Sequence, residues 1–473
     1  MKDLVKTGIP GLDEILYGGF LRGGAIFVEG TPGAGKTTLG LQFIYQGIVQ
    51  CGEPGLIITF EEVPAQMYRD ALNFGWDLRQ LSAAGKLKVI PTSPQVFQQQ
   101  IDASTGLIQK TLHEMQIQRI LIDSITHFQR ITSDPIELRD LINRVLNLLR
   151  QGEYTTLLIG ERTSAADQIP FEEYVVDAVI RLAYEKTPTM QRERYLEITK
   201  ARGQNFIGGQ HAVTFGPHGM EVYPTPQPRP LHREEQKVMG SALERVTSGI
   251  EGLDVMIGGG YIRGFANLVA GESGTGKTSI GLHFVNAGAA AGEHSLIVSL
   301  GEKPQKIVSL ARSIGMDLAR HVDSGYLTFL HRPPAGLSLN ELFNRIQQVL
   351  RSGTIRRVLF DSLADIEINI DNTLRLRDYV YALIDLFDAY GVTSVLTSSV
   401  QRSGEALRVD PNLAVIVDSV LLLQYDEIEG RRRKVATVLK MRGSDHDPGT
   451  RGYKITPIGV QMGTSFAARD LFT

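Results

Sequence analysis

The sequence predicts a tandem α/β protein of two domains, each a mostly parallel β-sheet flanked by helices and closed by an antiparallel C-terminal hairpin. Three observations predict it. The chain is written twice: Gly8-Ile9-Pro10-Gly11-Leu12-Asp13 returns as Gly249-Ile250-Glu251-Gly252-Leu253-Asp254. Within each copy, short apolar runs alternate with amphipathic stretches, the pattern of a parallel sheet covered on both faces. Each copy also opens with a glycine-rich loop, Gly30-Thr31-Pro32-Gly33-Ala34-Gly35-Lys36-Thr37 and Gly271-Glu272-Ser273-Gly274-Thr275-Gly276-Lys277-Thr278. Both fit G-x-x-x-x-G-K-[ST], in which backbone N–H groups cradle phosphates, the lysine reaches the β/γ-phosphates and the threonine serves Mg²⁺.

Length agrees with the duplication. The 473 residues exceed one ordinary core and suit two domains of about 200–250 residues. Apolar residues make up 42%, charged residues 21%, and the formal net charge is −3, a globular composition. The single cysteine, Cys51, excludes an internal disulfide and a cysteine-based zinc site, and fits a reducing cytoplasm. No segment reaches the ~18 apolar residues of a membrane span, and Met1-Lys2-Asp3-Leu4-Val5-Lys6 leads into no apolar h-region, so a membrane location is not expected. The near-neutral balance, with pI ≈ 6.4, argues against a dedicated nucleic-acid surface, which needs concentrated Lys and Arg.

The repeat continues through Gly18-Gly19-Phe20-Leu21-Arg22-Gly23 against Gly259-Gly260-Tyr261-Ile262-Arg263-Gly264, and through Gly40-Leu41-Gln42-Phe43 against Gly281-Leu282-His283-Phe284. A period this long means two complete domains and not a solenoid. Between them, Tyr223-Pro224-Thr225-Pro226-Gln227-Pro228-Arg229-Pro230 carries four prolines at alternate positions, which favour extended polyproline II and forbid a helix. The expected division is therefore 1–222, a proline-rich linker at 223–240, and 241–473.

In the first copy, Ala25–Glu29 reads as a strand, Lys36–Gln50 as a helix and Gly55–Phe60 as a strand. Further strands are expected at Leu87–Pro91, Ile120–Asp123 and Thr155–Gly160. Ala178–Tyr184 with Arg194–Lys200 around Pro188, and Val420–Tyr425 with Lys434–Lys440 around Glu429-Gly430, read as the closing antiparallel hairpins. Trp76 corresponds to Met316 and is expected to be a packing residue.

Candidate chemistry gathers at equivalent places. Leu121-Ile122-Asp123-Ser124 and Leu359-Phe360-Asp361-Ser362 end buried strands in an acid, the expected position of an aspartate that orients Mg²⁺ and its waters. Hydrolysis also needs a group to orient or deprotonate water. Phe60-Glu61-Glu62 ends the strand after the phosphate-loop helix, at the sheet edge that carries the phosphate loop. Leu300-Gly301-Glu302 keeps one glutamate. Glu62 and Glu302 are thus the expected bases, with Glu61 in support. Lys200-Ala201-Arg202-Gly203 and Lys440-Met441-Arg442-Gly443 place two cations on one strand face, positioned to reach a γ-phosphate across a subunit boundary. His446 lies just past Arg442, from where it is expected to approach the nucleotide of a neighbouring subunit; the first copy has Phe206 there. No His-x-x-His cluster accompanies the ten histidines, so the expected metal is Mg²⁺ brought with ATP.

Together, the paired loops, the duplicated openings, Phe60-Glu61-Glu62, Ile122-Asp123-Ser124 and the K-x-R-G strand ends resemble the KaiC-type tandem ATPases of the RecA/RadA/DnaB superfamily, over nearly the whole chain. The resemblance implies two RecA-like P-loop NTPase domains, and two stacked rings forming a hexamer with ATP between neighbouring subunits. It implies phosphate and Mg²⁺ binding by Lys36, Thr37, Lys277 and Thr278, with Thr38 and Ser279 beside them and Asp123 and Asp361 on the metal. Glu61, Glu62 and Glu302 would activate water. Lys200, Arg202, Lys440 and Arg442 would act in trans, and a regulatory protein partner is possible.

Two departures qualify the resemblance. In the clock members of that family the second domain phosphorylates a Ser-Thr pair a few residues before an aspartate and a Leu-Leu-Gln-Tyr strand. Here the strand is Leu422-Leu423-Gln424-Tyr425, the aspartate is Asp418, and the pair falls on Ala414 and Val415, which have no hydroxyl to accept phosphate. Ser419, Ser403 and Ser399 remain as other acceptors for an autokinase. Only Met462–Thr473 is expected to follow the last strand, so the long tail that meets a clock partner in those members is not expected here. A DNA-dependent motor is the other alternative, through the loops Glu161–Pro170 and Ser399–Asn412, the second with Arg402 and Arg408. The run Arg431-Arg432-Arg433-Lys434 reads as a solvated hairpin face balanced by Asp426, Glu427 and Glu429. The leading reading is a Mg²⁺-dependent ATPase used as a nucleotide-driven switch.

Overall fold

The computed structural model describes residues 3–102, 106–132, 134–161, 175–186, 192–227, 244–335, 337–367, 373–403, 406–428 and 431–465. The hairpin tips around Pro188 and Glu429-Gly430, most of Glu161–Pro170, the linker from residue 228 to its expected end and the tail from residue 466 lie outside them. Two compact units divide the chain, Met1–Thr225 and Pro226–Thr473.

Each unit is built on a nine-stranded sheet, whose strands are numbered here in chain order. Unit 1 has β1 (Ala25–Gly30), β2 (Gly55–Thr59), β3 (Leu87–Pro91), β4 (Arg119–Asp123), β5 (Thr155–Glu161), β6 (Ala178–Lys186), β7 (Arg192–Ala201), β8 (His211–Gly216) and β9 (Gly219–Tyr223). They lie in the order β3-β2-β4-β5-β1-β6-β7-β8-β9. Strands from β3 to β6 run parallel, and β6 to β9 pair antiparallel. Unit 2 repeats this with β10 (Ala266–Gly271), β11 (His294–Ser299), β12 (Leu327–His331), β13 (Ile355–Asp361), β14 (Thr393–Ser399), β15 (Ser419–Ile428), β16 (Arg431–Met441), β17 (Arg451–Thr456) and β18 (Gly459–Ser465), in the order β12-β11-β13-β14-β10-β15-β16-β17-β18. The expected hairpins are present as β6–β7 and β15–β16. A second hairpin follows each of them, in strands that mix glycine and polar residues with apolar ones and so lack the apolar runs of the central strands.

The central strands are apolar because both their faces are covered. Every residue of β1, β2 and β10 is buried. Along β4, Leu121 joins the core beneath the phosphate-loop helix, whereas Ile120 and Ile122 join the core on the other face, the two-residue alternation of a strand. Trp76 is buried, stacked on Tyr45 and tilted against Phe74.

Glycines let the phosphate-loop helices, Lys36–Cys51 and Lys277–Ala290, lie close on the sheet. A side chain at Gly40 or Gly281 would strike Leu121 or Leu359, and one at Gly47 or Gly288 would strike Arg119 or Arg357. These arginines are buried, and both are held in the same manner. Arg119 pairs with Glu53 at 2.6 Å, donates to the Phe43 carbonyl and lies 4.5 Å from the Phe43 ring centroid. Arg357 pairs with Glu293 at 2.6 Å, donates to the Phe284 carbonyl and lies 4.8 Å from that ring. A buried cation persists only when paired and hydrogen-bonded, so this duplicated contact fixes the helix that starts at the phosphate loop.

Candidate nucleotide site

In each unit a strand ends at a glycine (Gly30, Gly271), the chain turns through the loop, and the helix begins at the lysine. Gly33 and Gly35 have φ of 78° and 104°, and Gly274 and Gly276 have 78° and 105°, left-handed backbone that favours glycine. The first N–H groups of both helices are thereby aimed out of the fold, where an anion satisfies them and the helix dipole. Lys36 Nζ donates to the Gly30 and Thr31 carbonyls at 2.8 and 3.2 Å, and Lys277 Nζ to those of Gly271 and Glu272 at 2.9 and 3.0 Å. A cleft of about 370 Å³ in unit 1 is lined by Gly33, Gly35, Lys36, Thr37, Thr38, Arg194 and Phe215. A wider hollow of about 630 Å³ beside Thr247, Asp254 and Gly258 contains none of the loop residues. The candidate site of unit 1 is thus the smaller cleft, which its loop residues line. In unit 2, Ser279 is buried behind Thr278.

A threonine–aspartate pair is assembled beside the loop in both units. Thr37 Oγ1 donates to Asp123 Oδ2 at 2.8 Å, and Thr278 Oγ1 to Asp361 Oδ2 at 2.9 Å. Asp361 also accepts from Thr397 Oγ1; the residue at that place in unit 1 is Ile159. Burial pushes the Asp123 and Asp361 carboxyls up, although hydrogen bonds from the threonines oppose it. Burial likewise pushes Lys36 and Lys277 down, against the pull of nearby carboxylates. Burial thus makes both carboxyls and both lysines harder to charge than in water, and a bound cation and anion would favour their charged forms. Among the described residues no group of three or more His, Cys, Asp or Glu side chains could hold a metal by itself.

The three candidate carboxylates have different surroundings. Glu61 pairs with Arg130 at 2.9 Å and approaches His127 Nε2 at 3.3 Å. The half-buried Glu62 carboxylate makes no hydrogen bond or ion pair with a described residue; burial, then Asp123, Asp70 and Glu61, push its pKa up. Glu302 pairs with Lys306 at 2.7 Å across one helical turn, not with the adjacent Lys303. Pro304 starts the helix Pro304–Ser313, which puts Lys306 on the face of Glu302.

Glu62 has a direct pH signature. As a base it works ionised, and its proton stays on to higher pH than on an ordinary glutamate of about 4.3. First-site turnover, measured with the second site silenced by Lys277→Ala, should therefore fall on acidification with a midpoint above that value. A profile flat through the ordinary glutamate range would rule Glu62 out as the base.

Side chains on the antiparallel strands of both units also reach the phosphate loops. In unit 1, Arg194 on β7 donates to the Gly33 carbonyl at 3.2 Å and lies over Tyr184 and Phe215. In unit 2, Tyr425 Oη donates to the Gly274 carbonyl at 2.9 Å and Tyr453 Oη to that of Thr275 at 2.6 Å. The Glu272 carboxylate accepts from the Tyr425 N–H at 3.3 Å. Each phosphate loop is thus buttressed from its own hairpins, by different residues in the two copies.

The K-x-R-G segments stand where β7 and β16 end. A register shift just before each lysine, between Val179/Ile180 and Val420/Leu421 on the partner strands, bulges the strand and re-aims the residues beyond it. Lys440 Nζ donates to the Ala414, Val415 and Val417 carbonyls at 2.8, 3.3 and 2.6 Å. Arg442 donates to the Val415 carbonyl at 2.9 Å and pairs with Asp418 at 3.3 Å. Arg202 N–H donates to the Asp177 carbonyl and Arg442 N–H to that of Asp418, so both loops leave their sheet alike. His446 lies next on the exposed loop, its N–H donating to Asp445.

Two α/β units, each with a phosphate loop on a parallel-strand edge and a hydrogen-bonded Thr–Asp pair beside it, define a tandem P-loop ATPase. This chain belongs to the KaiC family, whose model, described as "ATPase: KaiC", matches it twice, over residues 5–227 and 246–465. It is 32% identical over 472 residues to the "Circadian clock oscillator protein KaiC" of Parathermosynechococcus lividus, covering 98% of this chain and 85% of that protein. The protein of the same name from Synechococcus elongatus is 31% identical over 473 residues, covering 98% and 89%. "Circadian clock oscillator protein KaiC 1" of a Synechocystis species matches to the same extent. The chain is an ATPase. Among its described residues no helix is long and apolar enough to cross a membrane.

Proposed function

We propose that the chain hydrolyses MgATP at both units within a double-ring homo-oligomer, most simply a hexamer, and acts as a nucleotide-driven regulatory switch. The single observation that carries this reading is the duplicated Thr–Asp corner beside a lysine and helix N-terminus that need opposite charge. Thr37 and Asp123, and Thr278 and Asp361, would hold hydrated Mg²⁺, which neutralises charge on the β- and γ-phosphates. Glu62 takes a proton from water as its oxygen bonds to the γ-phosphorus; the bond to the bridging oxygen breaks and ADP leaves with that electron pair. Glu302 serves unit 2 in the same role, since its ion pair with Lys306 is exposed and weak. Lys200, Arg202, Lys440 and Arg442 would complete the site of a neighbouring subunit. A regulatory protein partner would read the nucleotide state.

Phosphate transfer to the chain is the weaker reading. Ala414 and Val415 offer no hydroxyl, and their carbonyls are occupied by Lys440 and Arg442. Ser419 is buried and donates to Asn267 at 2.6 Å; Ser399 is exposed, and the side chain of Ser403 lies outside the described residues, as do those of Arg402 and Arg408 in the DNA-motor alternative. The assembly is tested by native mass measurement in Mg²⁺ with ATP and again after EDTA. Six copies with nucleotide, falling to smaller species without metal, are expected; a monomer under both conditions would refute the ring.

A further inference from the structure

We infer that in unit 2 the carboxylate missing at Gly301 is supplied from the other side of the site by Asp365, on the helix Leu363–Glu367, as the positioning residue for Glu302. This rests on the reading of Glu302 as the base of the second site. Counting from the metal aspartates, Asp365 corresponds to His127, four residues beyond Asp123. Gly301 corresponds to Glu61. The two positions meet in both units. In unit 1 they are joined by His127 Nε2 and Glu61 Oε1 at 3.3 Å. In unit 2 a β-carbon built on Gly301 would stand 3.3 and 3.4 Å from the two carboxylate oxygens of Asp365. The acid has therefore changed sides: strand end plus histidine in one copy, glycine plus aspartate in the other.

The exchange keeps a negative charge at one place in the site. Asp365 is fixed by accepting from Ser362 Oγ at 2.9 Å and from the Ser362 N–H at 3.3 Å, so its charge is directed from a short helix anchored to the metal-side strand. Glycine at 301 is not demanded by backbone conformation, since its φ is not positive. What it provides is room for the incoming carboxylate. A glutamate at 301 beside Asp365 would bring two like charges together, whereas either alone preserves the site.

The test uses the full chain with Glu61→Gln and Glu62→Gln, so that remaining phosphate release belongs to unit 2. Binding of a fluorescent ATP analogue is measured alongside as a control for folding and affinity. Asp365→Asn should lower turnover about tenfold, a modest share of what acid–base assistance contributes, with affinity unchanged. Asp365→Ala combined with Gly301→Glu should recover most of the loss, because the acid returns to the side it occupies in unit 1. A capping role alone would give no such recovery, and a loss that persists in the relocated variant overturns the inference. So does normal turnover in Asp365→Asn while Glu302→Gln abolishes release, which leaves the base assignment intact. If Glu302→Gln also changes nothing, or no release remains to measure, the assignment of Glu302 falls and takes the inference with it.

Discussion

Replacing Glu61 and Glu62 together by glutamine, in a chain whose second site is silenced by Lys277→Ala, should lower phosphate release at least about a hundredfold, within the range of a positioned general base. ATP should still bind, because neither carboxylate touches the phosphate loop and the Lys36, Thr37 and Asp123 geometry stays in place. The single variants should divide the effect unequally. Glu62 is half-buried, unpaired among described residues and raised in pKa, so Glu62→Gln should carry most of the loss. Glu61 already shares its charge with Arg130 and His127, and Glu61→Gln should cost less. Unchanged release in the double variant would remove the strand end from the chemistry.

Lys36→Ala acts on a different quantity. Lys36 is held over the loop by two carbonyls and is the one loop side chain able to bring positive charge to the phosphates. Removing one member of a desolvated charge pair costs about 2–5 kcal/mol, so ATP affinity at unit 1 should fall about thirtyfold or more. Lys277→Ala should do the same at unit 2. Titration with a fluorescent ATP analogue should then show about half the wild-type tight sites in either single variant and none in the double. Full stoichiometry in Lys36→Ala would contradict the placement of the first nucleotide.

Much of this site was legible in the sequence because local pattern determines it. The phosphate loops fix their own backbone through glycine spacing, and Asp123 and Asp361 stand at the ends of apolar runs read as buried strands. What escaped depends on pairing between distant segments. Arg194 and Tyr425 reach the loops from the closing hairpins, and Phe215 and Tyr453 do so only because a second hairpin continues the sheet past the K-x-R-G turn, in strands without a continuous apolar run. Lys306 pairs with Glu302 because a helix starts at Pro304, so a residue one turn on is nearer than the adjacent Lys303. Asp365 escaped for another reason. Read singly, Gly301 is a lost acid and Asp365 an acid at the start of a short helix; only the contact between the two positions, seen in both units, relates the loss to the gain.

The most direct measurement incubates the full chain with γ-labelled ATP in Mg²⁺ and in EDTA, and separates free phosphate from label bound to protein. The account predicts free phosphate that depends on Mg²⁺ and is reduced by silencing either unit, with no stable label on the chain. Release that persists in EDTA, or label that accumulates on the protein in place of free phosphate, would contradict it.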